Sequence, residues 1–290
     1  MSLRPFIQIC KLLKMETLLD ELGQTATVVI PSFSFDYFDK VGNVSILALQ
    51  NVLTTARMVA YHIPEKKSGN TFLEYDKLTA AHYMFLASVK TEVARGFYDL
   101  PQLDEWPGLK VSFHLGYMGS ASINTVATLF NATTGQELAW NTNTVVFVDK
   151  KVRKPVALAD WWRQKYADAI IGNRKLQIDP FPMPDDAFCY QLKVSWSDVD
   201  LYQHNNYISY IRYCLDAAMD AITKGQLKNF EGDITDHFVK NIEALYIGES
   251  VANDIINVFL WQHPTDHNTL FFSMSNGKEV IFQNKMQFFP

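Results

Sequence analysis

Cysteine is scarce in this sequence, and its few copies are badly placed for pairing. The 290 residues include three cysteines, Cys10, Cys189 and Cys214, and no two of them have Cys-x-x-Cys spacing. An odd number leaves one thiol over in any disulfide scheme, whereas secreted domains tend to pair their cysteines. We therefore expect reduced thiols and a cytoplasmic location.

Long apolar segments and an excess of basic residues are also missing. No apolar run approaches the roughly 20 residues that cross a bilayer, so we expect no membrane span. Lys and Arg total 26 against 31 Asp and Glu, which gives a net charge of −5 and a pI near 5.8. A domain that binds nucleic acid usually carries a basic excess, so we expect no nucleic-acid partner.

The first 14 residues, MSLRPFIQICKLLK, contain three cations and no acid. That charge pattern is found in organelle presequences. The segment lacks a serine-rich composition and a small-residue cleavage site, which favours an ordinary terminal helix.

Several motifs for cofactors and nucleophiles are absent. There is no P-loop and no Gly-x-Gly-x-x-Gly, and 116-GYMGSAS-122 lacks the spacing of a Gly-x-Ser-x-Gly nucleophile turn. His263 and His267 lie in an expected hairpin turn with only Asp266 as a further ligand type, which is a poor metal site. We therefore expect neither a cofactor nor a metal.

An internal repeat is present, with an offset of 161 residues. The segment 35-FDYFDKVGNVSILALQNVLTTARMVA-60 aligns with 196-WSDVDLYQHNNYISYIRYCLDAAMDA-221. In each copy an aromatic begins a piece that we interpret as a short strand. An Asp follows four residues later (Asp39, Asp200), then a polar turn, then an apolar pattern at helical spacing. The apolar stripes predicted to face a core are Ile46, Leu49, Leu53, Ala56 and Val59 in the first copy, and Ile208, Ile211, Leu215, Ala218 and Ile222 in the second.

Each predicted helix is followed by β-type sequence. Residues 109–148 contain strand patterns broken by the turn 131-NATTGQE-137, and residues 250–289 repeat the plan with turns at 263-HPTDHN-268 and 276-NGKE-279. The pattern predicts an α+β fold in which a curved antiparallel sheet wraps a long helix, twice. Three prolines at positions 180, 182 and 184 exclude a helix or central strand there. We predict domains at 1–171 and 187–290, joined by a linker at 172–186.

The second copy resembles a known signature. The run 196-WSDVDLYQHNNYISY-210 is similar to Asp-x-Asp-x-x-Gly-His-Val-Asn-Asn-x-x-Tyr of hotdog-fold thioesterases, and its WSDVD and Gln-His spellings resemble plant and bacterial acyl-ACP thioesterases. The resemblance implies two tandem hotdog domains. It places Asp200 on the catalytic aspartate, His204 on the histidine, Asn206 on the first asparagine and Tyr210 on the tyrosine.

The sequence departs from that signature at four positions. Gln203 replaces the common glycine, Asn205 the valine and Tyr207 the second asparagine, and Tyr202 stands where the acyl-ACP branch often has asparagine. We expect Tyr202, Tyr207 and Tyr210 to contact the substrate. The acidic residue that the resemblance implies later in the repeat is either Glu243 or Glu249, and the sequence does not choose between them.

These residue types suit thioester hydrolysis. A helix N-terminus stabilises a developing oxyanion. Asp200 can act as general base or nucleophile, and His204 can act as general base or orient the water. Asn206 can cap the helix or hold the water. The alternative is that Asp200, Asn205 and Asn206 only form the turn and the cap.

The first copy lacks most of these side chains. Asp39 is kept, but Asn43 replaces the histidine and Ser45 the asparagine. We expect one competent site, in the second repeat, with Asp39 serving as a turn residue. Asp198 is expected to be structural.

The predicted function is an acyl thioesterase acting on acyl chains carried by acyl carrier protein or CoA. The cluster 150-KKVRK-154 is either a contact for such an acidic carrier or a solvated strand end. The alternatives are a hotdog-type dehydratase or cyclase acting on carrier-bound intermediates, and a non-catalytic acyl-binding or scaffold protein. A homo-oligomer is possible for this fold.

Overall fold

The computed structural model describes Met15 and residues 17–30, 35–103, 105, 107–200, 202–277 and 279–290, without the side chains of Phe35 and Ala81. The predicted presequence or helix at 1–14, and Cys10, lie outside these residues. Cys189 and Cys214 are free thiols, as the sequence predicts for them. Within the described ranges, no helix is long and apolar enough to cross a membrane.

The described residues contain eleven strands and five α-helices. The strands are β1 Thr17–Leu19, β2 Thr25–Ile30, β3 His82–Val93, β4 Leu109–Met118, β5 Ser122–Asn131, β6 Glu137–Asp149, β7 Phe188–Lys193, β8 Val239–Tyr246, β9 Ile255–Gln262, β10 Thr269–Ser275 and β11 Val280–Phe288. The helices are α1 Ile46–His62, α2 Tyr75–Ala81, α3 Arg95–Tyr98, α4 Asp160–Tyr166 and α5 Tyr207–Thr223. The two long helices α1 and α5 and the predicted β-rich runs are confirmed.

The contacts divide the chain into two compact units. The N-terminal unit comprises Leu49–Gln177 and the described residues before Tyr37, and the C-terminal unit comprises Tyr37–Ala48 and Ile178–Pro290. No helix or strand occurs between residues 171 and 187, all of which are described, as the prolines predict. The boundaries 1–171, 172–186 and 187–290 stay a prediction, because compact units of contacts are not independently folding domains.

The strands of each unit are antiparallel. In the N-terminal unit they run in the spatial order β1-β2-β4-β5-β6-β3. In the C-terminal unit the order is β8-β11-β10-β9-β7. The turn 131-NATTGQE-137 joins β5 to β6 because Asn131 Oδ1 accepts from the backbone of Thr133 and Thr134, and Gly135 takes a φ of 75° that favours glycine.

The buried faces of the two long helices differ in how well the sequence predicts them. In α1 the five predicted stripe residues are all buried. In α5 only Ile211 and Ala218 of the predicted stripe are buried, and Ile208, Leu215 and Ile222 are half-buried. The buried face of α5 is formed mainly by tyrosines and small residues, which a search for large aliphatic side chains overlooks. These residues are Tyr210, Tyr213, Cys214, Ala217 and Ala221. From this face Tyr210 stacks on Phe282 of β11, and Cys214 Sγ accepts from Asn284 Nδ2 of the same strand at 3.5 Å.

The segment that opens each repeat copy is not a strand. Phe35–Tyr37 and Trp196–Asp198 are both short 3-10 helices, so the predicted short strand is wrong in both copies. In the second copy Ser195 N donates to Asp198 Oδ2 at 3.2 Å. Local side-chain bonds of this kind compete with strand pairing. Asp200 therefore lies in a loop and not on the rim of a strand.

Candidate active site

Residues 199, 200 and 202–205 form a closed turn in front of α5. Val199 and Asn205 make an isolated antiparallel bridge. Asp200 N donates to His204 O at 2.9 Å, and Gln203 N donates to Asp200 O at 3.0 Å. The Asp200 carboxylate accepts from Tyr202 N at 2.8 Å. The turn therefore fixes the backbone positions of both Asp200 and His204.

The loop before α1 has the same geometry. Asp39 N donates to Asn43 O at 2.8 Å, and Gly42 N donates to Asp39 O at 3.1 Å. The Asp39 carboxylate accepts from Val41 N at 2.9 Å and from Asn43 N at 2.9 Å. The expected turn role of Asp39 is confirmed. The bond from Asp200 to the Tyr202 amide is thus a property of the turn and is not a mark of catalysis.

A histidine and a carboxylate face each other only in the second copy, since the first copy has Asn43 in place of the histidine. His204 Nε2 is 3.4 Å from Glu249 Oε2, with side chains 30% and 42% exposed. A carboxylate at this distance orients the imidazole ring. Glu243, the other acid that the sequence left open, is paired with Lys285 at 3.8 Å. Sequence reasoning did not choose Glu249 because its approach to His204 depends on how the segment after β8 packs against the turn.

Asn206 caps α5. Its Oδ1 accepts from Ile208 N at 2.9 Å, and its own N–H donates to Asp198 O at 2.7 Å. Ser45 caps α1 in the same way, since Ser45 Oγ accepts from Ala48 N at 3.0 Å. The cap reading of Asn206 is confirmed. The positive end of the α5 macrodipole therefore points toward the turn that contains Asp200 and His204.

A buried serine holds the turn to the segment that carries Glu249. Ser250 is 1% exposed, and its carbonyl accepts from Asn205 N at 2.8 Å. Its Oγ lies 3.1 Å from Asn205 Nδ2 and 2.9 Å from the Tyr210 hydroxyl. Sequence reasoning missed Ser250. The only available signal was that a polar residue follows Glu249 directly.

Asp198 supports the turn from the other side, as expected. It accepts from Arg212 Nη2 and, at 2.7 Å, from the Tyr213 hydroxyl. Burial raises the pKa of the Tyr213 hydroxyl, and the bond to the Asp198 carboxylate raises it further. Tyr213 is therefore a neutral donor at physiological pH and holds Asp198 in place.

The three tyrosines expected at the substrate lie in different environments. Tyr202 is 53% exposed, Tyr207 is half-buried, and Tyr210 is 3% exposed. The Tyr246 hydroxyl donates to Tyr207 O at 3.2 Å. Burial raises the pKa of the Tyr246 hydroxyl well above its usual value. Contact of these side chains with a substrate stays a prediction. Tyr210 is connected to the turn by the hydrogen bond between its hydroxyl and Ser250 Oγ.

In the described part of the chain, the known types of ligand site, a cavity and a metal cluster, do not coincide with the candidate catalytic residues. A cavity of about 570 Å³ in the C-terminal unit is lined by Met183, Phe188, Leu227, Trp261 and neighbouring residues, and none of the candidate catalytic residues lines it. Among the described residues, no group of three or more His, Cys, Asp or Glu is arranged to hold a metal ion.

Neither protein-family models nor curated proteins match this chain. Solved structures do. A 12:0-ACP thioesterase from Umbellularia californica is 16% identical, with a TM-score of 0.68 over 94% of this chain and 99% of that chain. An acyl-ACP thioesterase from Bacteroides thetaiotaomicron VPI-5482 is 18% identical, with a TM-score of 0.65 over 93% of this chain and 100% of that chain. The chain therefore has the α+β hotdog fold of these thioesterases, and the predicted fold class is confirmed.

Proposed function

We propose that this protein hydrolyses acyl thioesters, with the acyl chain carried by acyl carrier protein. The observation that carries the proposal is the approach of His204 to Glu249, beside Asp200 and in front of the α5 N-terminus. Both neighbours reported above are described as ACP thioesterases. Similarity at 16–18% identity supports the fold, so the activity rests on the side chains.

In the proposed mechanism, Asp200 removes a proton from water, which attacks the thioester carbonyl, and the proton then goes to the leaving thiolate. His204, oriented by Glu249, positions this water against the carbonyl carbon. In the alternative route the Asp200 carboxylate attacks the carbonyl itself, the thiolate leaves, and water hydrolyses the resulting acyl-aspartyl anhydride. The α5 N-terminus stabilises the oxyanion through its macrodipole and its leading N–H groups. The thiolate of the carrier then leaves and takes up a proton, and the products are a free acid and a free thiol.

Hydrolysis of dodecanoyl-ACP and dodecanoyl-CoA by the full chain, followed by release of free thiol, tests the proposal. Asp200→Asn and His204→Gln should each lower kcat on the order of 10²-fold or more, since each removes a general base or its partner. Glu249→Gln should also lower kcat. Thiol release by the wild type at the rate of Asp200→Asn would refute the proposal.

Asn206→Ser is the matched control for the cap. Ser45 caps α1 in the sister copy, so serine at 206 should keep helix α5 capped. Full activity of Asn206→Ser assigns Asn206 to the cap alone. Loss of activity without loss of stability assigns it a contact with the water or the substrate.

A second candidate function is acyl binding without hydrolysis. It is favoured by one observation, namely that the Asp200 carboxylate makes the same turn bond as Asp39. Binding of dodecanoyl-CoA by a wild type that releases no thiol would select this candidate.

The basic cluster Lys150–Lys154 is part of the proposal as a contact for the acidic carrier. Its residues are exposed, although Lys150 Nζ also donates to Thr79 O at 2.9 Å and Arg153 lies over the rings of Tyr83 and Phe85. Lys151 and Lys154 are the cations to exchange. Lys151→Glu with Lys154→Glu should raise KM for dodecanoyl-ACP and leave kcat unchanged. An unchanged KM would assign the cluster to a solvated strand end.

A further inference from the structure

Six buried polar side chains lie between α1 and the sheet of the N-terminal unit, where a core is normally apolar. We call them the α1 polar layer. Each is at most 8% exposed. The layer consists of Gln50, Arg57 and Tyr61 of α1, Thr91 of β3, Thr125 of β5 and Asn141 of β6.

Hydrogen bonds connect most of this layer. Gln50 Nε2 and Asn141 Nδ2 both donate to Thr91 Oγ1, at 3.2 and 2.9 Å. Arg57 Nη2 donates to Asn141 Oδ1 at 2.7 Å and also lies beside the Tyr61 hydroxyl. The layer is therefore an ordered set of groups around one buried cation.

The fold itself does not require this layer. At the 161-residue offset, Gln50, Arg57 and Tyr61 correspond to Ile211, Ala218 and Ile222 in α5. The second helix packs on its own strands with apolar residues at these three positions. A buried arginine at 57 is thus specific to the first copy.

Among the described residues, no acid matches the charge of Arg57. Of the ion pairs in the part of the chain that the structure describes, none includes Arg57. Its Nε is buried and has no hydrogen-bond partner among the same residues, and its guanidinium lies 5.7 Å from the centre of the Phe113 ring. Buried charges are normally paired, because removing a cation from water is costly.

A second unpartnered polar group lies on the same face of the sheet. Asn143 is two residues after Asn141 on β6, so both side chains point to the same side. It is 5% exposed, and its Oδ1 has no partner among the described residues. Rotation of this amide by about half a turn presents its Nδ2 as a second donor. The residues beside Asn143 and Asn141 on the neighbouring strands include apolar Val89 and Ala127.

We infer that Arg57 binds the carboxylate of an aliphatic acid in the interior of the N-terminal unit, between α1 and strands β3, β5 and β6. The guanidinium supplies the charge and the free Nε–H, and the neighbouring apolar side chains contact the aliphatic part. The choice of an aliphatic acid rests on the proposed function, since thioester hydrolysis releases such an acid. The rival is a buried water that satisfies Nε without any ligand.

Decanoate and its neutral counterpart 1-decanol are the probes, with binding to the full-length wild type measured by calorimetry. Decanoate should bind at least roughly tenfold more tightly than decanol, because a charge-assisted hydrogen bond contributes that much or more. Arg57→Met keeps the length of the side chain and should weaken decanoate by a similar factor without affecting decanol. Arg95→Met, at an exposed arginine of the same unit, should change neither affinity.

Equal affinity of the wild type for decanoate and decanol would overturn the inference, as would unchanged decanoate binding by Arg57→Met. If Arg57→Met does not fold, the ¹⁵Nε–H resonance of Arg57 in the wild type decides. It should shift on addition of decanoate and not on addition of decanol, and an unshifted resonance assigns Nε to water. Binding is measured without turnover, so failure of hydrolysis and failure of this site are separate results.

Discussion

The turn before α1 (residues 39–45) and the turn before α5 (residues 200–206) share only the aspartate, and three of the six differences lie at the glycine, histidine and cap positions. Gly42, Asn43 and Ser45 of the first copy become Gln203, His204 and Asn206 of the second. The backbone hydrogen bonds of the two turns are nearly the same length. The chemical difference therefore lies in the side chains, and above all in an imidazole that has Glu249 within 3.4 Å.

A buried histidine outside the site should contribute to the loss of stability in acid. His62 is 8% exposed and packs edge-on against Tyr75. Burial lowers its pKa from 6.5 to about 4, against a smaller opposing effect of Asp76. The unfolded chain therefore binds a proton at His62 more tightly than the folded chain does. The stability that neutral His62 contributes is complete above pH 6.5 and is lost as the pH falls toward 4. The loss should reach about 3 kcal/mol.

The measurement is the free energy of unfolding in urea between pH about 4 and about 7. His62→Phe keeps an aromatic ring against Tyr75 and removes the titration. Its stability should therefore fall less on acidification than that of the wild type. Parallel curves for the two proteins would contradict the assigned cause.

At the scale of elements, each turn requires one residue with a left-handed backbone. Gly42 has a φ of 88°, and Gln203, its counterpart, has a φ of 67°. A left-handed conformation costs a non-glycine residue roughly 1–2 kcal/mol. The second turn keeps its geometry with a glutamine because Asn205 and Ser250 hold the end of the turn in place.

Gln203→Gly should therefore stabilise the protein. Relief of the backbone strain outweighs the extra entropy of glycine in the unfolded chain, for a net gain of up to about 1 kcal/mol. The reverse change in the sister turn, Gly42→Gln, should destabilise by a similar or larger amount. Denaturant midpoints of the two variants measure both effects. A lower midpoint for Gln203→Gly would show that the glutamine side chain has a stabilising contact of its own.

At the scale of the whole molecule, the segment 172–186 should be the first site of proteolysis. Residues 171–187 contain no helix or strand, and Lys175 is exposed. Proteases preferentially cut exposed segments that can enter the active site of the protease without disrupting a helix or a sheet. Trypsin should first cleave after Arg174 or Lys175 and leave a C-terminal fragment that ends at Pro290. Mass spectrometry of a short digest identifies the cut.

Arg174→Gln with Lys175→Gln is the control, and it should slow the first cleavage. An initial cut within Lys150–Lys154, whose residues are also exposed, would contradict the predicted linker. The same digest tests the predicted boundaries 1–171 and 187–290. The cytoplasmic location and a homo-oligomer also stay predictions at this scale.

The sequence by itself determined the repeat, the two long helices, the β-rich runs, the proline segment and the fold class, because these depend on local spacing and composition. It also identified Asp200, His204 and Asn206 as one group, since they lie within seven consecutive positions. The tertiary structure decided the rest. The approach of Glu249 to His204, the anchoring by Ser250 and the unmatched charge of Arg57 all depend on side chains far apart in the chain. Local periodicity does not encode such contacts, because they arise only when the strands and helices pack together.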